Sequence, residues 1–279
     1  MIRQPLFQQA SNFCDKGWWQ KAWNNASTLT TNRKRVVGLS GGKDSTALSV
    51  ALSIFEPADY TFVCTPTGNE LPEMGAHWEK LEGLLGRPLL RVGSRTLLGL
   101  IVEQKAIPNH AQRWCTRLIK LKQYYEWLAQ QGPCISYIGL RADEESRPGM
   151  VFPDQDGVVM DFPMRRWGWT IDDVWEFLRD MQIAVPARTD CALCFWQKLG
   201  EWYELWLNHP DLYEQGVIAE DFVSNARGSE YTFRSPSRDT WPASLRDLRA
   251  EFEKGRVPTR SLNGMDKLRQ SGACRVCTL

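Results

Sequence analysis

Apolar residues along the chain come in short runs separated by longer amphipathic stretches. Arg35-Val-Val-Gly-Leu39, Tyr60-Thr-Phe-Val-Cys64, Pro88-Leu-Leu-Arg-Val92 and Cys134-Ile-Ser-Tyr-Ile138 have the length and composition of buried strands. Between them the pattern turns helical. Thr46–Phe55 contains no Gly or Pro, a second helix runs to about Leu85, and a third covers 96–106. A Lys- and Tyr-rich helix opens at Arg113-Trp-Cys-Thr116 and runs to about Gln130. Phe7, Phe13, Trp18, Trp19 and Trp23 fall at roughly helical spacing and predict one N-terminal helix over 5–25 that covers the sheet, with 27–32 as a polar connector. This alternation predicts an α/β fold, a parallel sheet covered by helices. Ligands of such sheets bind beyond the carboxyl ends of the strands.

Thr170-Ile-Asp-Asp173 predicts a helix start, with Thr170 as N-cap and acids in the first turn. After Pro186 the alternation stops and helical patterns and loops take over. The chain is therefore read as an α/β domain over 1–182 and a smaller, mostly helical, cysteine-containing domain over 183–279.

Composition narrows the setting. The 279 residues are 43% hydrophobic and carry a net charge of +1, so no global basic field draws the protein to nucleic acid, although a local patch can. Met1-Ile-Arg-Gln-Pro-Leu-Phe has no apolar signal core, and no stretch approaches the ~20 apolar residues of a membrane span. A cytoplasmic protein without a membrane partner is expected. Eight cysteines there point to metal or catalytic roles more than to disulfides. Cys14, Cys64 and Cys134 read as core residues. The thirteen tryptophans cluster at 18–23, 167–175 and 196–206, which predicts packed helical faces. His77, His110 and His209 make no metal-ligand spacing, and no Ser–His–Asp arrangement can be read.

Ser40-Gly41-Gly42-Lys43-Asp44-Ser45 stands between the first strand and its helix. A Gly-rich turn there presents backbone N–H groups to an anion at a helix N-terminus. Gly41 and Gly42 allow close approach, Lys43 adds a mobile positive charge, and Ser40 and Ser45 offer hydroxyls. A Walker A loop is excluded, because Val37 and Asp44 occupy the places of its first Gly and its Ser/Thr. Cys191-Ala-Leu-Cys194 and Cys274-Arg-Val-Cys277 are two Cys-x-x-Cys pairs, and two such pairs fill one tetrahedral site of Zn²⁺ or an iron–sulfur cluster. Cys115, at the start of a helix with Lys120 and Lys122 nearby, is expected to have a lowered thiol pKa and to be reactive or a cluster ligand.

With these motifs in place the chain resembles the phosphoadenosine-phosphosulfate reductase-like branch of the PP-loop superfamily, the ATP pyrophosphatases or adenine nucleotide alpha-hydrolases, over about residues 33–198. Ser40–Ser45 matches the phosphate loop. Thr67-Gly68-Asn-Glu70-Leu-Pro-Glu73 is similar to the segment after the second strand, Arg113-Trp-Cys115-Thr with Lys120 to a Cys-Thr…Lys motif, and Gly139-Leu-Arg141-Ala-Asp143-Glu144-Glu-Ser-Arg147 to a Gly-Leu-Arg-Ala-Asp-Glu segment. The resemblance implies an adenine nucleotide alpha-hydrolase-like fold, with ATP and Mg²⁺. Lys43 and the loop would stabilise the leaving pyrophosphate. Asp44 is a candidate Mg²⁺ ligand or loop-ordering residue, Arg141 a candidate phosphate clamp, and Asp143 and Glu144 candidate metal or substrate contacts. Gly68, Glu70 and Lys120 are further candidates for the nucleotide site. Sulfonucleotide reductases of this branch usually have a degenerate loop and a Glu-Cys-Gly-Leu-His tail. The intact loop and the tail Gly272-Ala-Cys-Arg-Val-Cys-Thr-Leu279 point instead to an ATP-using relative that transfers sulfur to nucleic acid, tRNA or DNA, with a cysteine desulfurase as sulfur donor. The alternatives are a sulfonucleotide reductase and a nucleotide-sensing protein without turnover. The resemblance also admits a second metal set: Cys115 with Cys191, Cys194 and one tail cysteine.

Overall fold

In the computed structural model, which describes residues 3–28, 31–144, 157–236 and 239–258, the four apolar runs form strands. They are β1 (Lys34–Gly38), β2 (Tyr60–Cys64), β3 (Leu89–Arg91) and β4 (Cys134–Tyr137). A fifth strand, β5 (Val158–Asp161), lies beside β4 and has no counterpart in the apolar pattern. It is four residues long, at the sheet edge, with its side chains partly exposed, so it lacks the signature of a buried run. All strands are parallel, in the order β3-β2-β1-β4-β5. The order reverses between β1 and β4, so the carboxyl ends of these two strands flank the crevice of the sheet.

Both faces of the sheet are covered, as parallel strands require. On one face Val37, Phe62, Ile135 and Tyr137 meet α3 (Lys43–Phe55), α4 (Pro72–Leu85) and α8 (Ile171–Asp180). On the other, Val36, Val63 and Val92 meet Tyr124 and Leu128 of α6 (Lys122–Ala129). The expected N-terminal helix is two, α1 (Arg3–Ser11) and α2 (Gly17–Asn25). Cys14 lies in the break between them and is exposed, not part of the core. Trp18, Trp167 and Trp169 pack edge to face, and their indole N–H groups find Asp180, Glu56 and the Trp18 carbonyl. Here tryptophan seals α2 onto α7 (Pro163–Trp167) and α8.

The Lys- and Tyr-rich helix begins at Trp114, but Thr116–Leu121 is π-helical before α6 continues. Beyond residue 183 come α9 (Leu199–Asn208), α10 (Pro210–Arg227) and α11 (Leu245–Glu253). Their apolar faces share one core with Leu97, Leu100 and Ile101 of α5 (Leu97–Gln104) and with Trp114 and Ile119. Thr170 caps α8 through a reciprocal pair with Asp173. Among the described residues no helix is long and apolar enough to cross a membrane. Arg147, Cys274 and Cys277 lie outside the described residues.

Candidate functional site

The Ser-Gly-Gly-Lys-Asp-Ser loop leaves β1 at the switch point and enters α3 earlier than the sequence pattern suggests. Gly42 is the extended N-cap, so Lys43, Asp44 and Ser45 form the first helical turn and their N–H groups lie at its positive end. The two glycines differ in kind. Gly41 has φ +88°, and a Cβ there would lie 2.6 Å from Met74 Cε and from Trp78 Nε1. Gly42 has φ −71°, and a Cβ there would make only ordinary contacts, 3.6 Å to Thr189 Oγ1 and 3.7 Å to Ser40 Oγ. Neither backbone nor packing requires glycine at 42. Trp78 Nε1 donates to the Ser40 carbonyl at 3.1 Å, and Ser40 and Ser45 hydroxyls lie 3.1 Å apart.

Lys43 is paired within the loop rather than free. Its ammonium lies 2.9 Å from Asp44 Oδ2, and the side chain is buried. Arg141, at the end of β4, donates from Nη1 to the other Asp44 oxygen at 2.8 Å and from Nε to Asp143 Oδ1 at 2.9 Å. Glu144 Oε2 accepts from the Arg141 backbone N–H and lies 3.6 Å from its guanidinium. Arg141 is only 2% exposed. It is therefore not an open phosphate clamp. It is a hub tying the β4 end to the phosphate loop, and Asp44 orders that loop with both its oxygens. Asp143 also accepts from Ile171 N at the start of α8. The carboxylates around the loop are thus committed to protein donors, and Mg²⁺ arriving with a nucleotide would be held mainly by phosphate and water. Gly139 is needed for this approach, since a Cβ on it would lie 3.2 Å from the Asp44 carbonyl carbon.

After β2, Glu70 folds back to accept from Thr67 N and Thr67 Oγ1, and Gly68 turns at φ +72° against Thr96. Glu70 here is a turn-closing group. Asn69 holds the distant cysteine segment: its carbonyl accepts from Ala192 N at 2.7 Å and its Oδ1 from Leu193 N at 3.0 Å. Glu70 and Cys191 form an isolated antiparallel bridge. One stretch therefore runs from Thr189, against Gly42, to Cys191 and Cys194. Arg188, buried, steadies it through Asp190 Oδ1 and the Cys191 carbonyl. Sequence reasoning missed Trp78, Arg188 and Thr189. The polar Arg-Thr-Asp triplet just before Cys191 was the available signal.

Cys115, Cys191, Cys194, Lys120, Thr67 and Trp196 line one cleft. The thiols differ from expectation. Burial pushes Cys115 up, the nearby Cys191 adds to this, and Lys120 offsets only part of it, so its place in the first helical turn does not lower it. Cys191 is held down by the thiol hydrogen bond it accepts from Cys194, which is itself pushed well up. Among the described residues no three Cys, His, Asp or Glu side chains gather as a metal-binding group. Cys191 and Cys194 make a two-thiol half-site suited in chemistry to Zn²⁺ or iron, and Cys274 and Cys277 fall outside the described residues. The histidines lie apart: His77 bonds Thr46, His209 faces Glu73, and His110 packs on Trp196.

A parallel sheet with this loop at its switch point defines a PP-loop protein of the adenine nucleotide alpha-hydrolase class. More narrowly, the chain belongs to the phosphoadenosine phosphosulfate reductase domain family, whose sequence pattern matches residues 34–187. Two solved structures are similar. The U34-tRNA thiolase NcsA from Methanococcus maripaludis with its 4Fe–4S cluster is 16% identical with a TM-score of 0.49, the match covering 84% of this chain and 85% of that one. NMN synthetase from Francisella tularensis is 16% identical with a TM-score of 0.40, the match covering 93% and 96%. No curated protein sequence matches the chain.

Proposed function

We propose that the protein is an ATP pyrophosphatase-type enzyme that activates an acceptor oxygen with ATP and transfers sulfur to nucleic acid, tRNA or DNA. The observation that carries this reading is the 188–194 segment. Thr189 meets the phosphate loop at Gly42, and two residues later Cys191 enters the thiol cleft. Two residues of extended chain span at most about 7 Å, so nucleotide and sulfur chemistry adjoin.

In this reading an acceptor oxygen attacks the α-phosphorus and pyrophosphate leaves. Charge grows on the leaving phosphates, in front of the N–H groups that start α3. Lys43 can turn from Asp44 to the phosphates without stranding that carboxylate, because Arg141 still holds it. A sulfur carried as a persulfide on a cleft thiol, supplied by a donor such as a cysteine desulfurase, attacks the activated carbon of a base or phosphorus of a backbone phosphate and displaces AMP. A second cleft thiol then cleaves the S–S bond, leaving sulfur on the acceptor and a protein disulfide that an external thiol reductant resets. Cys191, held toward its thiolate by Cys194, suits this step better than Cys115.

Purified protein with ATP and Mg²⁺ should release AMP and pyrophosphate only when tRNA or DNA is supplied. Lys43→Ala should lower that turnover by roughly 10²–10³, the cost of removing one preorganised anion-stabilising group. Release of ADP and orthophosphate would overturn the reading. Sulfite formed from a phosphosulfate substrate would replace it with a reductase.

A further inference from the structure

We infer that the rim of the thiol cleft is a single-stranded nucleic-acid face, on which Trp196 stacks one unpaired base while neighbouring cations hold the flanking phosphates. The inference rests on the sulfur-transfer reading only for the purpose of the binding; its evidence is separate. From Lys105 to Tyr125 the chain has five cations and no Asp or Glu, in a protein with 34 basic and 33 acidic residues. Arg117 and Lys122 are exposed, and Arg113 and Lys120 are half-buried. Lys122 has one surface pair, with Glu126 at 3.6 Å. This segment carries Cys115 and Lys120 into the cleft, and Arg113 beside Trp196 at its lining, so part of the basic run adjoins the thiols.

The ring completes the chemistry. Trp196 lines the cleft beside Cys194, with the Arg113 guanidinium 5.7 Å from its centroid and the His110 ring 4.2 Å away at 83°. Trp18, Trp167, Trp169 and Trp202 are almost wholly buried, whereas Trp196 keeps part of its surface open. A partly open aromatic ring within a basic rim suits a planar base joined to phosphates. Paired bases in a duplex are stacked out of reach of such a ring, so the ligand is a single strand, a loop or an extruded nucleotide.

The test uses the full chain and fluorescein-labelled 12-nucleotide RNA and DNA of mixed sequence, single-stranded and as duplexes, followed by anisotropy across a salt series. The single strand should bind at least roughly tenfold tighter than the duplex, and Trp196→Leu should weaken it by roughly tenfold or more, the scale of one stacked base. Trp196→Phe should restore most of the loss. Replacing Arg113 and Arg117 with Gln should flatten the salt dependence by about one to two phosphate contacts. Circular dichroism confirms that each variant folds. Equal binding of duplex and single strand, or unchanged binding by a folded Trp196→Leu protein, would overturn the inference. Pyrophosphate release by the unmodified protein separates the two claims: single-strand binding without it leaves the face standing and the sulfur-transfer reading fallen. ATP turnover on an acceptor with no strand binding does the reverse.

Discussion

Arg141 donates to Asp44 across 97 positions of the chain, Nη1 to Oδ1 at 2.8 Å, and so fastens the end of β4 to the first turn of α3. Asp44 in turn keeps Lys43 in place through its second oxygen. Two cations and three carboxylates, Asp44, Asp143 and Glu144, are thereby joined in one ion-pair network beside the phosphate loop.

Removing Arg141 strands buried carboxylates. Arg141→Ala should cost about 3–5 kcal/mol of stability, the usual result of breaking a buried ion pair from one side. Arg141→Lys should recover only part of it, because an ammonium cannot span Asp44 and Asp143 as the planar fork does. Denaturant unfolding checks this. Both variants lying within about 1 kcal/mol of the parent would show the cluster to be incidental.

The two loop glycines should fail differently. Gly41→Ala forces a side chain into a left-handed backbone and against Trp78, and should cost about 1–3 kcal/mol. Gly42→Ala should leave stability within about 0.5 kcal/mol, yet lower nucleotide affinity at least roughly tenfold, about 1.4 kcal/mol. Calorimetric titration with a non-hydrolysable ATP analogue, alongside melting curves, separates the two. A destabilised Gly42→Ala protein would show that packing, not a ligand, requires that glycine.

Much of this was legible in the chain, for local reasons. The loop and the four buried strands announce themselves because their signals lie within a few residues. β5 was not legible, being short, partly exposed and at the sheet edge. The break between α1 and α2 was masked by tryptophans that continue the apolar spacing past Gly17. At the site, the loop and the thiols could be named but not their states. Asp44 finds Arg141 and Ala192 finds Asn69 only through the tertiary fold, and Cys115 is governed by burial, which its position near a helix start does not reveal.

Thiol reactivity gives a third expectation. In metal-free, reduced protein, Cys191 should alkylate at lower pH than Cys115 or Cys194, because the Cys194 S–H stabilises its thiolate. Cys194→Ala should move the Cys191 profile upward. Mass spectrometry of iodoacetamide-labelled peptides against pH reads this, and a Cys191 profile indifferent to Cys194 would refute the coupling.

Glu220 on α10 should leave a mark on stability. Its carboxyl is buried, accepts from Phe233 N at 2.8 Å and Leu245 N at 2.6 Å, and is pushed up to about 8 by burial. The folded state holds this proton where the unfolded chain, with a carboxyl near 4.5, has lost it. The contribution is therefore full below about 4.5 and lost as pH rises through about 8. Glu220→Gln should abolish that slope while costing about 1–3 kcal/mol, since an amide can satisfy only one of the two N–H donors. Urea midpoints between pH 5 and 9 test it, and a slope that survives the substitution would assign it elsewhere.

The short span between Thr189 and Cys191 has a consequence for timing. Ala192 and Leu193 are pinned to Asn69, and Arg188 is fixed to Asp190 and to the Cys191 carbonyl. A shift of Thr189 by an occupant of the phosphate loop has only the peptide units around Asp190 in which to dissipate before it reaches Cys191. On the proposed sulfur-transfer reading, filling of the loop would reach the thiol along the backbone, and sulfur would be kept back until a nucleotide had arrived to use it.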